Sequence, residues 1–121
     1  MEIIRPLHVA LAVSDLERAE RFWGEILGLP KVERDLKFPG AWYQLGDFQI
    51  HLIVAERVIP DQTDSGRWGR NRHLALAVAD LQAAKQRLAA HGCPVQVSAS
   101  GRAALFTIDP DGNIVELSAA G

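Results

Sequence analysis

The chain has little of what would point to several large classes of protein. Its single cysteine, Cys93, cannot form an intrachain disulfide, so nothing argues for an oxidising compartment. No apolar run approaches the roughly 20 residues needed to cross a bilayer. The opening Met-Glu-Ile-Ile-Arg-Pro lacks the basic-then-apolar layout of a signal peptide. Thirteen Lys and Arg stand against 15 Asp and Glu, a net charge of −2, which leaves no basic excess for nucleic acid or an anionic membrane to select. These absences lead us to expect a cytoplasmic protein with neither kind of partner. Histidine is scarce as well: His8, His51, His73 and His91 are the four in 121 residues. The rest, 48% hydrophobic and 23% charged, suits one globular domain or two half-domains sharing a core.

What is present is a repeat. The run from His8 to Leu16, His-Val-Ala-Leu-Ala-Val-Ser-Asp-Leu, returns at His73 to Leu81 as His-Leu-Ala-Leu-Ala-Val-Ala-Asp-Leu, 65 positions on. The same offset carries His51 onto Glu116. Each copy thus opens with a histidine and places a second metal-capable side chain 43 residues later. A repeat constrains architecture more strongly than local propensity does. It implies two related half-domains, module 1 at about 5–55 and module 2 at about 72–118, with a linker at 56–71.

Within module 1, residues 5–13 alternate, Val9, Leu11 and Val13 against His8, Ala10 and Ala12, which is strand periodicity. Ser14 and Asp15 can both cap a helix, and Ser14-x-x-Glu17 has capping-box form. The helix carries Leu16, Ala19, Phe22, Trp23, Ile26 and Leu27 at helical spacing and ends at Gly28-Leu29-Pro30. Strands are expected at Lys31–Lys37, an edge, then Ala41–Leu45 and Phe48–Val54, with Gly46-Asp47 as a tight hairpin. Module 2 repeats this order. Its helix runs from Asp80 to about His91, its strands follow at Val95–Val97, Ala103–Ile108 and Asn113–Leu117, and Asp109-Pro110-Asp111-Gly112 is a turn. Each module is therefore β-α-β-β-β. In the linker, Pro60, Gly66 and Gly69 suggest a solvated connector, while Arg67, Trp68, Arg70 and Arg72 would suit a basic-aromatic lip over a site.

On the last strand of each module, His51 and Glu116 face away from the large aliphatic residues beside them. If each sheet curls around a cleft, His8, His51, His73 and Glu116 can all point into it. Three imidazoles and a carboxylate suit Zn, Ni, Co, Fe or Mn. On a six-coordinate ion they leave two neighbouring positions open for substrate, which separates a catalytic site from a structural one. A lone strand histidine is more often structural than a ligand. The matched repeat positions weaken that reading for these four. His91 is set aside because it sits at a helix C-terminus, where dipole compensation explains it, and Cys93 reads as a small buried apolar residue.

The paired modules, His8 and His73 opening them, and the closing Asp109-Pro-Asp-Gly-Asn-Ile-Val-Glu-Leu117 resemble the vicinal oxygen chelate superfamily over about residues 5–118. That superfamily includes glyoxalase I, fosfomycin-resistance thiol transferases, bleomycin-binding proteins, extradiol dioxygenases and methylmalonyl-CoA epimerase. The resemblance implies an α+β fold of two tandem modules whose sheets form a cup around one divalent metal, held at His8, His51, His73 and Glu116. It implies a substrate that meets the ion through two adjacent oxygens. In members with glyoxalase chemistry, Lewis-acid stabilisation of an enediolate is the physical basis, and a ligating glutamate, here Glu116, moves the proton.

Departures narrow the choice. Glyoxalase I usually has a glutamate where His51 stands, and often an arginine for glutathione where Ala12 stands. Fosfomycin-resistance enzymes have an apolar or sulfur side chain at the His51 position and a serine and a tyrosine where Ala104 and Phe106 stand. The extradiol tyrosine also falls on Phe106, and the epimerase tends to have glutamine at the His51 position. The expectation is a glyoxalase-like lyase or isomerase with Glu116 as ligand and base. The rival enzyme is an Fe(II) dioxygenase using His8, His73 and Glu116. The non-enzymatic rival sequesters a flat drug or metabolite on Trp42, Tyr43 or Trp68. Neither module of roughly 50 residues sustains its own core, so a homodimer is expected, in which modules pair within a chain or swap between chains.

Overall fold

The computed structural model describes residues 1–120. The chain divides into two compact units, Met1–Val58 and the remainder from Ile59. In the first, strand β1 (His8–Val13) leads to helix α1 (Leu16–Glu20) and then to β2 (Lys31–Val32), β3 (Gly40–Leu45) and β4 (Phe48–Val54). In the second, β5 (Leu74–Val78) leads to α2 (Leu81–Ala90), β6 (Val95–Val97), β7 (Ala104–Ile108) and β8 (Ile114–Ala119). The sheets are ordered β1-β4-β3-β2 and β5-β8-β7-β6. In each the first strand is parallel to the last and the others pair antiparallel. The two tandem β-α-β-β-β modules expected from the repeat are therefore present. No helix is long and apolar enough to cross a membrane among the described residues.

The first helix departs from the ideal form. Asp15 caps it, its Oδ1 accepting the Arg18 N–H at 3.1 Å. From Arg21 to Ile26 the backbone widens to a π-helix, and Leu27 N–H donates five residues back to Phe22 at 2.9 Å. The wider turn lets Phe22, Trp23 and Ile26 all bury against the sheet. Gly24 faces the Tyr43 ring, where an added β-carbon would lie 3.2 Å from the hydroxyl oxygen. Tyr43 is 1% exposed, and burial pushes its phenol pKa well up. It is core, on the face opposite Trp42, so it offers no stacking surface to a ligand.

Two spans differ from the sequence reading. The edge strand expected over Lys31–Lys37 pairs only at Lys31 and Val32. Charged Glu33 to Lys37 has no apolar alternation to hold it on the sheet. Residues 60–71, expected as part of a connector, are built into the second unit. Asp61 accepts the Ile114 N–H at 2.9 Å through its carboxylate and pairs with Arg72 at 2.6 Å. Its own N–H donates to the Gly112 carbonyl at 3.0 Å. Gly112, at φ +90°, lies so close to Pro60 that a β-carbon would come within 2.6 Å of it. Glycine at the end of the Asp109 turn is thus what lets the chain pass. Buried Asn71 ties the rest. Its side-chain carbonyl accepts from Thr63 N, Thr63 Oγ1 and Asp64 N, and its amide donates to the carbonyls of Asp64, Arg67 and Trp68.

Candidate metal centre

The hairpin registers place the four sequence-chosen side chains. Ala10, His51 and Trp42 stand opposite one another across β1, β4 and β3. Ala75, Glu116 and Phe106 stand opposite one another across β5, β8 and β7. His8 lies two residues before Ala10 on β1, and His73 two before Ala75 at the entry to β5. Each unit therefore gathers its own pair, His8 with His51 and His73 with Glu116. Among the described residues no three His, Cys, Asp or Glu side chains gather closely enough to hold an ion.

In the first unit the pair is a stack. The His8 and His51 rings lie 4.2 Å apart and 16° from parallel, and Trp42 covers the other face of His51 at 3.7 Å and 5°. The Arg34 guanidinium lies 4.2 Å over Trp42, a cation–π contact that ends the column. His51 is 7% exposed, and burial pushes its pKa down, with the His8 and Arg34 charges acting in the same direction. Its tautomer follows from a chain of hydrogen bonds. The Gly46 carbonyl can only accept, and Gln44 Nε2 donates to it at 2.6 Å. Gln44 Oε1 then accepts from Gln49 Nε2 at 2.7 Å, leaving Gln49 Oε1 to accept from His51 Nε2 at 2.8 Å. His51 thus keeps its proton on Nε2 and its lone pair on Nδ1. An imidazole lone pair lies in the ring plane, so two near-parallel stacked rings do not aim at one point. For both to share an ion, one must turn.

In the second unit the pair is an imidazole against a carboxylate. His73 Nδ1 meets the Asn71 carbonyl at 2.7 Å and must donate to it. Its Nε2 is 3.3 Å from Glu116 Oε1. With Nδ1 carrying a proton, an unprotonated Nε2 would point a lone pair at a carboxylate, so this gap calls for a cation, a proton or a metal ion. A carbonyl behind a ligating imidazole is the arrangement that orients metal-bound histidines. Of the two pairs, His73–Glu116 has the donor chemistry that a divalent ion would need. Glu116 is 6% exposed. Burial alone would raise its pKa, but hydrogen bonds from Ser118 Oγ at 2.7 Å and Arg102 Nη2 at 3.4 Å outweigh it. With the fields of Arg102 and His73 added, they hold the carboxyl below its usual range. The Phe106 ring meets His73 edge-on at 5.4 Å.

Sequence reasoning missed Trp42 as the cover of His51, although the Gly46-Asp47 hairpin implies that register. Arg34, Asn71, Arg102 and Ser118 carried no signal of their own, because loops or a neighbour two residues away bring them in. His91 sits as the C-cap of α2, and burial raises the pKa of Cys93, both apart from these pairs.

Comparison with known proteins gives one consistent result. The model of the family described as Glyoxalase/Bleomycin resistance protein/Dioxygenase superfamily matches residues 5–117. The chain is 34% identical over 116 residues to the glutathione transferase FosA of Serratia marcescens, covering 91% of this chain and 77% of that protein. A putative glyoxalase family protein from Bacillus anthracis superposes with a TM-score of 0.82 at 24% identity, over 100% of this chain and 98% of the other. Lactoylglutathione lyase from Agrobacterium tumefaciens superposes with a TM-score of 0.72 at 21% identity, over 98% and 96%. The two structures speak to the fold alone.

Proposed function

Because the chain belongs to the glyoxalase/bleomycin resistance protein/dioxygenase superfamily, we propose that it is a metal-dependent enzyme acting on a small substrate through two adjacent oxygens. The observation that carries this is the His73–Glu116 gap at 3.3 Å, with His73 held by the Asn71 carbonyl. His73 Nε2 and a Glu116 oxygen are the first two ligands. His8 and His51 are the other two, with His51 offering Nδ1 once its ring leaves the stack. A divalent ion so held, Zn, Ni, Co, Fe or Mn, would act as a Lewis acid on the substrate oxygens. The protein's own part is to hold the substrate, keep Glu116 ionised and move a proton. Glu116 can take up that proton only as Arg102 and Ser118 release it. This supports a glyoxalase-like lyase or isomerase. Bringing the two pairs together requires the units to meet, within one chain or across a homodimer with exchanged modules.

A second reading, transfer of a thiol, is favoured by the 34% identity to a glutathione transferase. One experiment ranks the two. Protein purified without added metal is analysed for metal content, then loaded with each of the five ions. It is assayed for isomerisation of a 2-oxoaldehyde–glutathione adduct and for loss of free glutathione with an electrophile. Isomerisation abolished by chelator supports the lyase, and chelator-sensitive thiol consumption supports the transferase. Stoichiometric iron with oxygen uptake would overturn both, and no bound metal with no turnover would overturn the enzyme reading.

A further inference from the structure

Gln44 and Gln49 stand opposite each other across β3 and β4, on the sheet face that carries Trp42 and His51. Both are half-buried, and their side chains join the hairpin turn to the His51 ring. Gln44 Nε2 donates to the Gly46 carbonyl at 2.6 Å and reaches the Phe48 carbonyl at 3.5 Å. Gln49 Nε2 donates to Gln44 Oε1 at 2.7 Å, and Gln49 Oε1 accepts from His51 Nε2 at 2.8 Å.

An amide side chain has no direction of its own, because its oxygen accepts and its nitrogen donates within nearly the same shape. The direction of this row is set at its far end. Turning Gln44 over would leave two acceptors 2.6 Å apart with no proton between them. Once Gln44 is fixed, Gln49 and then the imidazole have one arrangement each. The second unit is built differently. There the Asn71 carbonyl accepts directly from His73 Nδ1 at 2.7 Å, so the backbone itself fixes the ring and leaves Nε2 toward Glu116. In the first unit two replaceable side chains stand between the backbone carbonyl and the ring, and the nitrogen left free is Nδ1.

We propose that Gln44 and Gln49 are positioning residues. They form a relay that carries the polarity of the Gly46 carbonyl to His51, holds its proton on Nε2 and makes Nδ1 the nitrogen it can offer to an ion. The relay deepens the metal reading above and rests on it only for the use made of Nδ1. The two units therefore present opposite imidazole nitrogens, Nδ1 from His51 and Nε2 from His73. Reversing the polarity at Gln44, one step beyond Gln49 in the relay, is enough to reverse the ring.

The test is heteronuclear NMR of the imidazole nitrogens in the metal-free protein at about pH 8, where a neutral ring shows which nitrogen carries the proton. The His51 signals are those missing from His51→Gln. The parent is expected to show the Nε2–H form alone. Gln44→Glu keeps an acceptor facing Gln49 and should leave that form in place. Gln44→Lys supplies a donor instead, turns the Gln49 amide over so that its nitrogen donates to the ring, and should move the proton to Nδ1 in most molecules. Gln49→Lys should do the same directly. A proton on Nδ1 in the parent, or one left on Nε2 in both lysine variants with an unchanged far-ultraviolet spectrum, would overturn the relay. Metal affinity, read by competition with a chromogenic chelator, is the second measurement. The lysine variants should lose at least about tenfold. Leu45→Lys adds the same charge one residue along, on an exposed side chain, and should stay within about twofold. An equal loss in Leu45→Lys, or an unchanged affinity in variants whose proton has moved, would overturn the positioning role. A parent that binds no ion would overturn the metal reading and with it the use of Nδ1, while the tautomer result would still stand.

Discussion

The row across the first sheet runs Ala10, His51, Trp42, and the row across the second runs Ala75, Glu116, Phe106. Topology and register are the same, yet the electrostatics are opposite. In the first unit an imidazole sits between two rings, and burial disfavours its charge. In the second a carboxylate sits among Ser118, Arg102 and His73, which favour its charge. Packing beneath the sheets differs too. The first helical segment buries Phe22, Trp23 and Ile26, whereas α2 buries Leu88. The second unit makes up the difference with residues 60–71 laid onto it and tied by Asp61 and Asn71. A duplicated scaffold can thus disfavour charge at His51 and favour it at the equivalent Glu116.

The sharpest way to test the contrast is to remove the pairs separately. His73→Ala or Glu116→Ala should cost at least about a thousandfold in metal-supported activity, because the proposed function makes them the first two ligands of the Lewis-acid ion. Both should weaken metal binding at least about tenfold with the fold intact. His51→Ala should also weaken it about tenfold, measured by competition with a chromogenic chelator. Retention of the parent affinity would mean that the stacked ring never turns, and the site would be His8, His73 and Glu116 alone.

Mixing follows from the pairing of donors by unit. His8→Ala and Glu116→Ala proteins are unfolded and refolded together. If modules exchange between chains, about a quarter of the parent activity returns, since half the dimers are mixed and each has one intact site. No recovery would confine each site to one chain.

Asn71→Ala touches only the second unit. It strands the backbone groups of the 63–68 loop and should lower stability by about 2–3 kcal/mol in denaturant titration, with a smaller loss in the metal affinity of His73. The smallest effect is on pH dependence, measured on the metal-free protein. The lowered pKa of His51 gives stability that is present above about pH 6.5 and lost as pH falls through its folded value. The lowered pKa of Glu116 gives stability present above about pH 4.3 and lost further down. Melting temperature against pH should therefore show two acid limbs. His51→Gln should flatten the upper one and Glu116→Gln the lower; a single limb unaffected by His51→Gln would remove the buried neutral imidazole from the picture.

Much of this was written in one dimension. The alternation at His8 and His73, the offset joining His51 to Glu116, and turn residues such as Gly46 and Gly112 determine two modules, the succession of elements along each and which side chains share a face. These are local or periodic properties, set by backbone geometry. What only the tertiary structure decided is what each side chain meets. His51 and Glu116 occupy equivalent positions, but Trp42 covers one and Arg102 holds the other, and neither contact follows from periodicity. The same is true of the cavity lined by Arg67, Arg70 and Arg102. Arg67 and Arg70 read as either a solvated connector or a basic-aromatic lip until Gln96, 26 residues further than Arg70, fastens their loop to a strand, and Arg102 arrives from a different loop. Long-range contacts of this kind depend on where folded elements come to rest, which single-residue propensity does not encode.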